Sequence, residues 1–158
     1  CGTALSAPLL RRGAGRLDGV DLSPEMLARA RARGGYDLLV EGELTGHMRA
    51  RPSAFDVVAS ADTLVYFGDL HEVVAAAALA LRPGGWLVFS VEALDAAGRG
   101  SGVELGPSGR YRHARAHVEA ALHAAGFRDL VVEARELRKE VGAPVLGWVA
   151  MGRRAAAP

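Results

Sequence analysis

Two sets of residues in this sequence are of types that could do chemistry. The first runs through its opening third. In CGTALS, Gly2 and Thr3 stand just before an apolar helical run, where a missing Cβ lets a ligand approach the backbone closely. Asp21 ends the strand-like run RLDGVDL, a position from which a carboxylate can accept both hydroxyls of a ribose. Glu43 and Leu44 close the next such run and could meet an adenine edge through a carboxylate and a backbone N–H. Each residue has a plainer use as well, since a carboxylate at a strand end also caps a helix. The second set is Asp62, Tyr66, Glu92, Arg110, Tyr111 and His113, a mixture able to seat a polar molecule. Within it His113 could act as a base and Arg110 could clamp an anion.

The elements that must position these residues alternate between strand and helix. The expected strands are RLDGVDL, YDLLVEGEL, FDVVAS and WLVFSVE, and the last two are apolar enough to be covered on both faces. SAPLLRR reads as a first helix and TGHMRARP as a short helix or turn. SPEMLARARARG is a helix with Ser23 as N-cap, Pro24 first, Glu25 in the first turn, and Gly34 and Gly35 past its end. DLHEVVAAAALALRPGG is expected to be helical from Asp69 until Pro83, Gly84 and Gly85 stop it. The stretch 93–113, with Arg99, Arg110 and Arg112, has no clean period and reads as a binding loop or lid. A helix, ARAHVEAALHAAG, follows it. FRDLVVEARELRKE and PVLGWVAMG then form an antiparallel strand pair around the turn VGAP. The fold class is therefore α/β, a Rossmann-like doubly wound and mainly parallel sheet closed by that pair. One domain spans 1–152, and 153–158 is a disordered tail.

Composition narrows the function. Half of the 158 residues are hydrophobic, enough for a packed core. The net charge is +1 with no basic stripe, which gives no sign of a nucleic-acid partner, and no apolar run is long enough to span a membrane. Cys1 is the single cysteine, so no internal disulfide forms, and a cytoplasmic location is the default. No metal-ligand spacing stands out, and His47, His71, His117 and His123 read as surface or helix-face residues.

Taken in order, CGTALS, GVDLSPEMLARA, FDVVASADTLVYFGDL and LRPGGWLVFSVE resemble the successive signature segments of class I S-adenosylmethionine-dependent methyltransferases. ADTLVYFGDL, FSVE and GPSGRYRHARAHVEAALHAAGF are similar, more particularly, to bacterial methyltransferase domains that follow tetratricopeptide repeats. The resemblance implies an S-adenosylmethionine cofactor, left as S-adenosylhomocysteine, and a small-molecule or protein methyl acceptor. It implies that Gly2 and Thr3 line the methionine and ribose side and that Asp21 binds the ribose hydroxyls. Leu22 and Met26 would pack on the adenosine, Glu43 and Leu44 would hold the adenine, and Ser60 with Ala61 would close the pocket beneath the sulfonium. Tyr66 falls where many relatives place an aromatic or a histidine facing the transferred methyl, and His113 could be a base. Asp62, Glu92, Arg110 and Tyr111 would bind the acceptor. CGTA matches the second half of the family's glycine loop, with Ala4 in place of its last glycine, so the central strand and its acidic residue are expected before Cys1. Upstream tetratricopeptide repeats are a possible partner. A degenerate domain serving protein interaction, or a nicotinamide-dependent dehydrogenase, would share the glycine loop and strand-end acid.

Overall fold

The computed structural model describes residues 1–94 and 102–156, which form two compact units, 1–50 and 51–158. The first unit runs α1 (Ala7–Leu10), β1 (Asp18–Asp21), α2 (Pro24–Arg33), β2 (Leu38–Glu41) and α3 (Leu44–Arg49). β1 and β2 pair in parallel, with Asp18 opposite Leu38 and Asp21 opposite Glu41. α2 begins where the sequence sets it: the Ser23 hydroxyl accepts from Met26 N–H, Pro24 opens the first turn, and Gly34, at φ 79°, ends the helix. Its inner face is Leu27 and Ala30, both fully buried, and burying a leucine contributes about 1.5–3 kcal/mol. Ala4, Ala7 and Ala30 make a small core against Leu17, Tyr36 and Leu39. Only one turn of the expected first helix forms, over Ala7–Leu10.

The second unit runs β3 (Phe55–Ser60), a 3₁₀ turn (Leu64–Tyr66), α4 (His71–Ala80), β4 (Leu81–Ala93), β5 (Val103–Leu105), β6 (Tyr111–His113), α5 (Arg115–Ala124), β7 (Phe127–Glu140) and β8 (Ala143–Arg154). β4 is the spine of its sheet. One edge pairs antiparallel with β8; the other pairs in parallel with β3 and then, at Glu92 and Ala93, with β6. β5 adds antiparallel to β6, and β7 to β8. The α/β, Rossmann-like reading holds, with the sheet of this unit mixed.

Four details differ from expectation. Leu81, Arg82 and Pro83 belong to β4 and not to the preceding helix: proline disfavours a helical residue before it, and Leu81 instead buries its side chain opposite Phe55. Gly84 then turns at φ 79°, and a Cβ on Gly85 would lie 2.8 Å from the Asp56 carbonyl oxygen. β3 and β4 are not covered on both faces. Leu87, Phe89 and Val91 are buried while the alternate positions are half-exposed, and Val57 on β3 is 54% exposed. The expected loop at 93–113 contains a hairpin, β5 and β6, turned by GPSG, where Gly106 N–H donates to the Arg110 carbonyl and Gly109 sits at φ 76°. Arg99 lies outside the described residues. The expected tail at 153 is still strand, for Arg153 pairs with Trp86 and its Nε donates to the Gly84 carbonyl.

Candidate active site

In the first unit the chain folds so that the glycine turn meets the end of β1. Gly2 takes φ 54°, and its N–H donates to Asp21 Oδ2 at 2.7 Å. The α-amino group of Cys1 reaches the same oxygen at 3.2 Å, and Ser23 N–H donates to Oδ1 at 2.9 Å. Partial burial pushes the Asp21 carboxyl up, and the hydrogen bonds from Ser23 and Gly2 pull it down. A carboxylate has about four acceptor positions, so these three bonds leave one on Oδ1. A Cβ on Gly2 would meet nothing within 4 Å, so space is open beside the turn. Leu22, next to Asp21, is 69% exposed, and Met26 is half-buried. Thr3 lines a shallow hollow with Arg29, Ala32 and Arg33.

Ala4, which stands in place of the family's last loop glycine, keeps a glycine-like backbone. It lies before α1 at φ 64°, a left-handed conformation that strains any residue with a Cβ by about 1–2 kcal/mol. Glu43 is the N-cap of α3. Its Oε1 accepts from Thr45 N–H at 2.7 Å and its Oε2 from Gly46 N–H at 2.6 Å. Burial raises its pKa, and these two bonds more than reverse the shift. Both oxygens therefore serve the helix terminus, while Leu44 is the first helical residue and its N–H has no partner within the helix.

In the second unit β3 ends at Ser60, and the exposed Ala61 leads into Asp62, held at φ 57° with its N–H donating to Ser90 Oγ at 3.0 Å. Here the structure gathers four of the expected acceptor residues with two that the sequence reading missed. Arg138, on β7, forks to Asp62 Oδ1 at 2.6 Å and to Glu92 Oε1, with its Nε 3.6 Å from Glu140 Oε1. Arg110 bonds Glu140 Oε1 and stands 3.8 Å from Glu92 Oε1, with Tyr66 beside it. The neighbouring Tyr66, then Glu140, raises the Arg110 pKa, and Arg110 in turn holds the Glu140 carboxyl low. Glu92 is 7% exposed, Tyr66 is 60% exposed, and the buried Arg138 Nε has no hydrogen-bond partner. Tyr111 lies so close to Gly68 that a Cβ there would sit 3.1 Å from its ring. The signal for Arg138 and Glu140 is the period-two alternation of RELRKE, which puts both on one face of a strand.

His113 is not placed to act as an exposed base. Its side chain is fully buried, and Nε2 donates to the carbonyls of Phe67 at 2.9 Å and Gly68 at 3.2 Å. Both partners are acceptors, so Nε2 carries the proton. Burial lowers the pKa despite those carbonyls and keeps the ring neutral. Nor are His71 and His117 separate surface residues, for their rings meet edge to face at 5.4 Å.

The model of the methyltransferase domain family matches residues 1–89, more than half of the chain. The chain belongs to that family. Two ubiquinone biosynthesis O-methyltransferases are similar to it. The one from Hydrogenovibrio crunogenus is 28% identical over 97 residues, covering 57% of this chain and 39% of the relative. The one from Thiobacillus denitrificans is 34% identical over 96 residues, covering 57% and 40%. The matched region thus spans about two fifths of these curated relatives. A solved SAM-dependent methyltransferase from Methanosarcina mazei shares the fold, with a TM-score of 0.75 at 16% identity over 99% of this chain and 90% of that one. Domains of this class bind S-adenosylmethionine, and the first unit fits it in part: open space at Gly2, a spare acceptor on Asp21 and an exposed apolar Leu22 suit a nucleoside, whereas the Glu43 carboxylate is already used. No described helix is long and apolar enough to cross a membrane.

Proposed function

We propose that the chain catalyses methyl transfer from S-adenosylmethionine to an oxygen of a small polar acceptor. The observation that carries this reading is the direct bond between Gly2 N–H and Asp21, which joins the glycine turn to the strand-end acid and leaves space beside it. When bound, the cofactor supplies a methyl group already activated by its sulfonium. Asp21 accepts from the ribose through Oδ1, Leu22 and Met26 cover the adenosine, Thr3 and the turn line its methionine side, and Leu44 N–H meets the adenine. Ser60 and Ala61 are assigned to the cofactor by family resemblance alone.

On the second unit, Tyr66 and Asp62 face the acceptor. Arg138 fixes Asp62, so that side chain need not be ordered when the acceptor arrives. Three carboxylates and two guanidinium groups leave the network one negative charge in excess, which favours a neutral acceptor over an anionic one. The named O-methyltransferase relatives support oxygen as the acceptor atom. The finer resemblance to domains following tetratricopeptide repeats rests on ADTLVYFGDL and GPSGRYRHARAHVEAALHAAGF.

Calorimetric titration with S-adenosylmethionine and S-adenosylhomocysteine, on the chain and on Asp21→Asn, tests the reading. Binding that weakens about tenfold or more in Asp21→Asn supports it. Binding of both without any methyl transfer to phenolic or hydroxylated acceptors would favour a cofactor-binding interaction domain. No binding would defeat both readings.

A further inference from the structure

We propose that Asp69, His71 and His117 form a site for a divalent transition-metal ion of the zinc type. Asp69 Oδ1 lies 2.6 Å from His71 Nδ1 and 3.8 Å from His117 Nε2, and the three ligand atoms all fall within 4.8 Å of one another. A tetrahedral zinc with bonds of about 2.0–2.1 Å separates its ligands by roughly 3.3 Å, between the two observed spacings. Asp69 and His71 are 71% and 45% exposed and can rotate to close differences of about half an ångström or more.

Hydrogen-bond bookkeeping points the same way. Asp69 Oδ1 accepts from His71 N–H at 3.0 Å and meets His71 Nδ1 at 2.6 Å, an Asx turn just ahead of α4 that accounts for this pair. It does not account for His117. Leu70 N–H lies 3.5 Å from His117 Nε2, too long to occupy fully the one ring lone pair that a metal would use. His117 is also held ready: its ring stacks on His113 at 5.7 Å, and His113 is anchored to the Phe67 and Gly68 carbonyls. Two neutral imidazoles and one carboxylate suit a borderline metal, with a fourth position for water. The ion would tie the start of α4 to α5 and brace the segment that carries Tyr66. This site is independent of the methyl-transfer reading.

The test is titration of the tag-free, metal-free full chain with Zn²⁺ by calorimetry and with Co²⁺ by visible absorption. One Zn²⁺ per chain and the intense bands of tetrahedral Co²⁺ are expected. Both should weaken at least about tenfold in His117→Gln and, independently, in the exposed His71→Gln, which keeps the test valid if His117→Gln unfolds. His123→Gln, exposed on the same helix as His117, should bind as the parent does. Absence of stoichiometric binding, or binding that survives His71→Gln in a folded chain, would overturn the proposal.

Discussion

In the first unit the carboxylates of Asp21 and Glu43 are held by backbone N–H groups, whereas in the second Asp62, Glu92 and Glu140 are held by the guanidinium groups of Arg110 and Arg138. A backbone donor is fixed by the course of the chain and survives most substitutions. A guanidinium is brought in by a distant strand and vanishes with one codon. The first unit can therefore keep its geometry through sequence change, while the second depends on a few side chains and can be retuned through them. That division suits a common cofactor and a variable acceptor.

The largest effect is expected where the second unit is weakest. Arg138→Met leaves Glu92 buried without its principal cation and should cost about 3–5 kcal/mol, read as a lowered midpoint in urea unfolding. Adding Glu92→Met should recover most of that loss, because the pair is then replaced and not broken. If the single variant is as stable as the parent, the network is only decoration on the surface.

The first unit should respond more gently. Asp21→Ala removes every bond to the carboxylate and should cost about 2–3 kcal/mol, whereas Asp21→Asn keeps one amide-accepting oxygen and should cost about half as much. Equal losses in the two variants would show that charge, and not the backbone bonds, holds the turn.

Titration separates the units further. Burial keeps His113 neutral in the folded chain, so below pH 6.5 the unfolded chain takes up a proton that the folded one refuses. Stability then falls as pH drops through that value. Glu43 acts lower: its folded pKa lies below 4.5, so its contribution is full above 4.5 and is lost as pH falls through the folded value. Unfolding free energies measured from neutral to acid pH should show both steps, with His113→Gln flattening the upper one and Glu43→Gln the lower.

The smallest effect belongs to Ala4→Gly. It relieves the left-handed strain but empties a buried methyl from the Ala4, Ala7 and Ala30 core, so a net change within about 1 kcal/mol is expected in thermal unfolding. A loss well beyond that would mean the methyl, not the turn, governs the first unit.

The same contrast explains what could be read in the sequence. Ser23, Pro24 and Gly34 announce α2 because caps act within a few residues, and Asp21 and Glu43 take bonds from Ser23, Thr45 and Gly46 just downstream. The pairing of Asp62 with Arg138 spans 76 residues, and that of Glu92 with Arg138 spans 46. Those distances are closed by the β7–β8 hairpin and its register against β4, which no local pattern encodes. The hairpin in 93–113 was legible, since GPSG between VEL and RYRH is turn chemistry, yet the glycines and arginines around it mask the alternation. His113 misled for a simple reason. Its residue type suits a base, and only packing shows it sealed beneath Phe67 and Gly68.

The central claim is that the glycine turn and Asp21 hold the cofactor, and amide chemical-shift mapping of the 158-residue chain with S-adenosylhomocysteine tests it most directly. The account predicts saturable shifts at Gly2, Thr3, Leu22, Ser23 and Leu44. Shifts absent from these residues at saturating ligand, or confined to other parts of the chain, would contradict it.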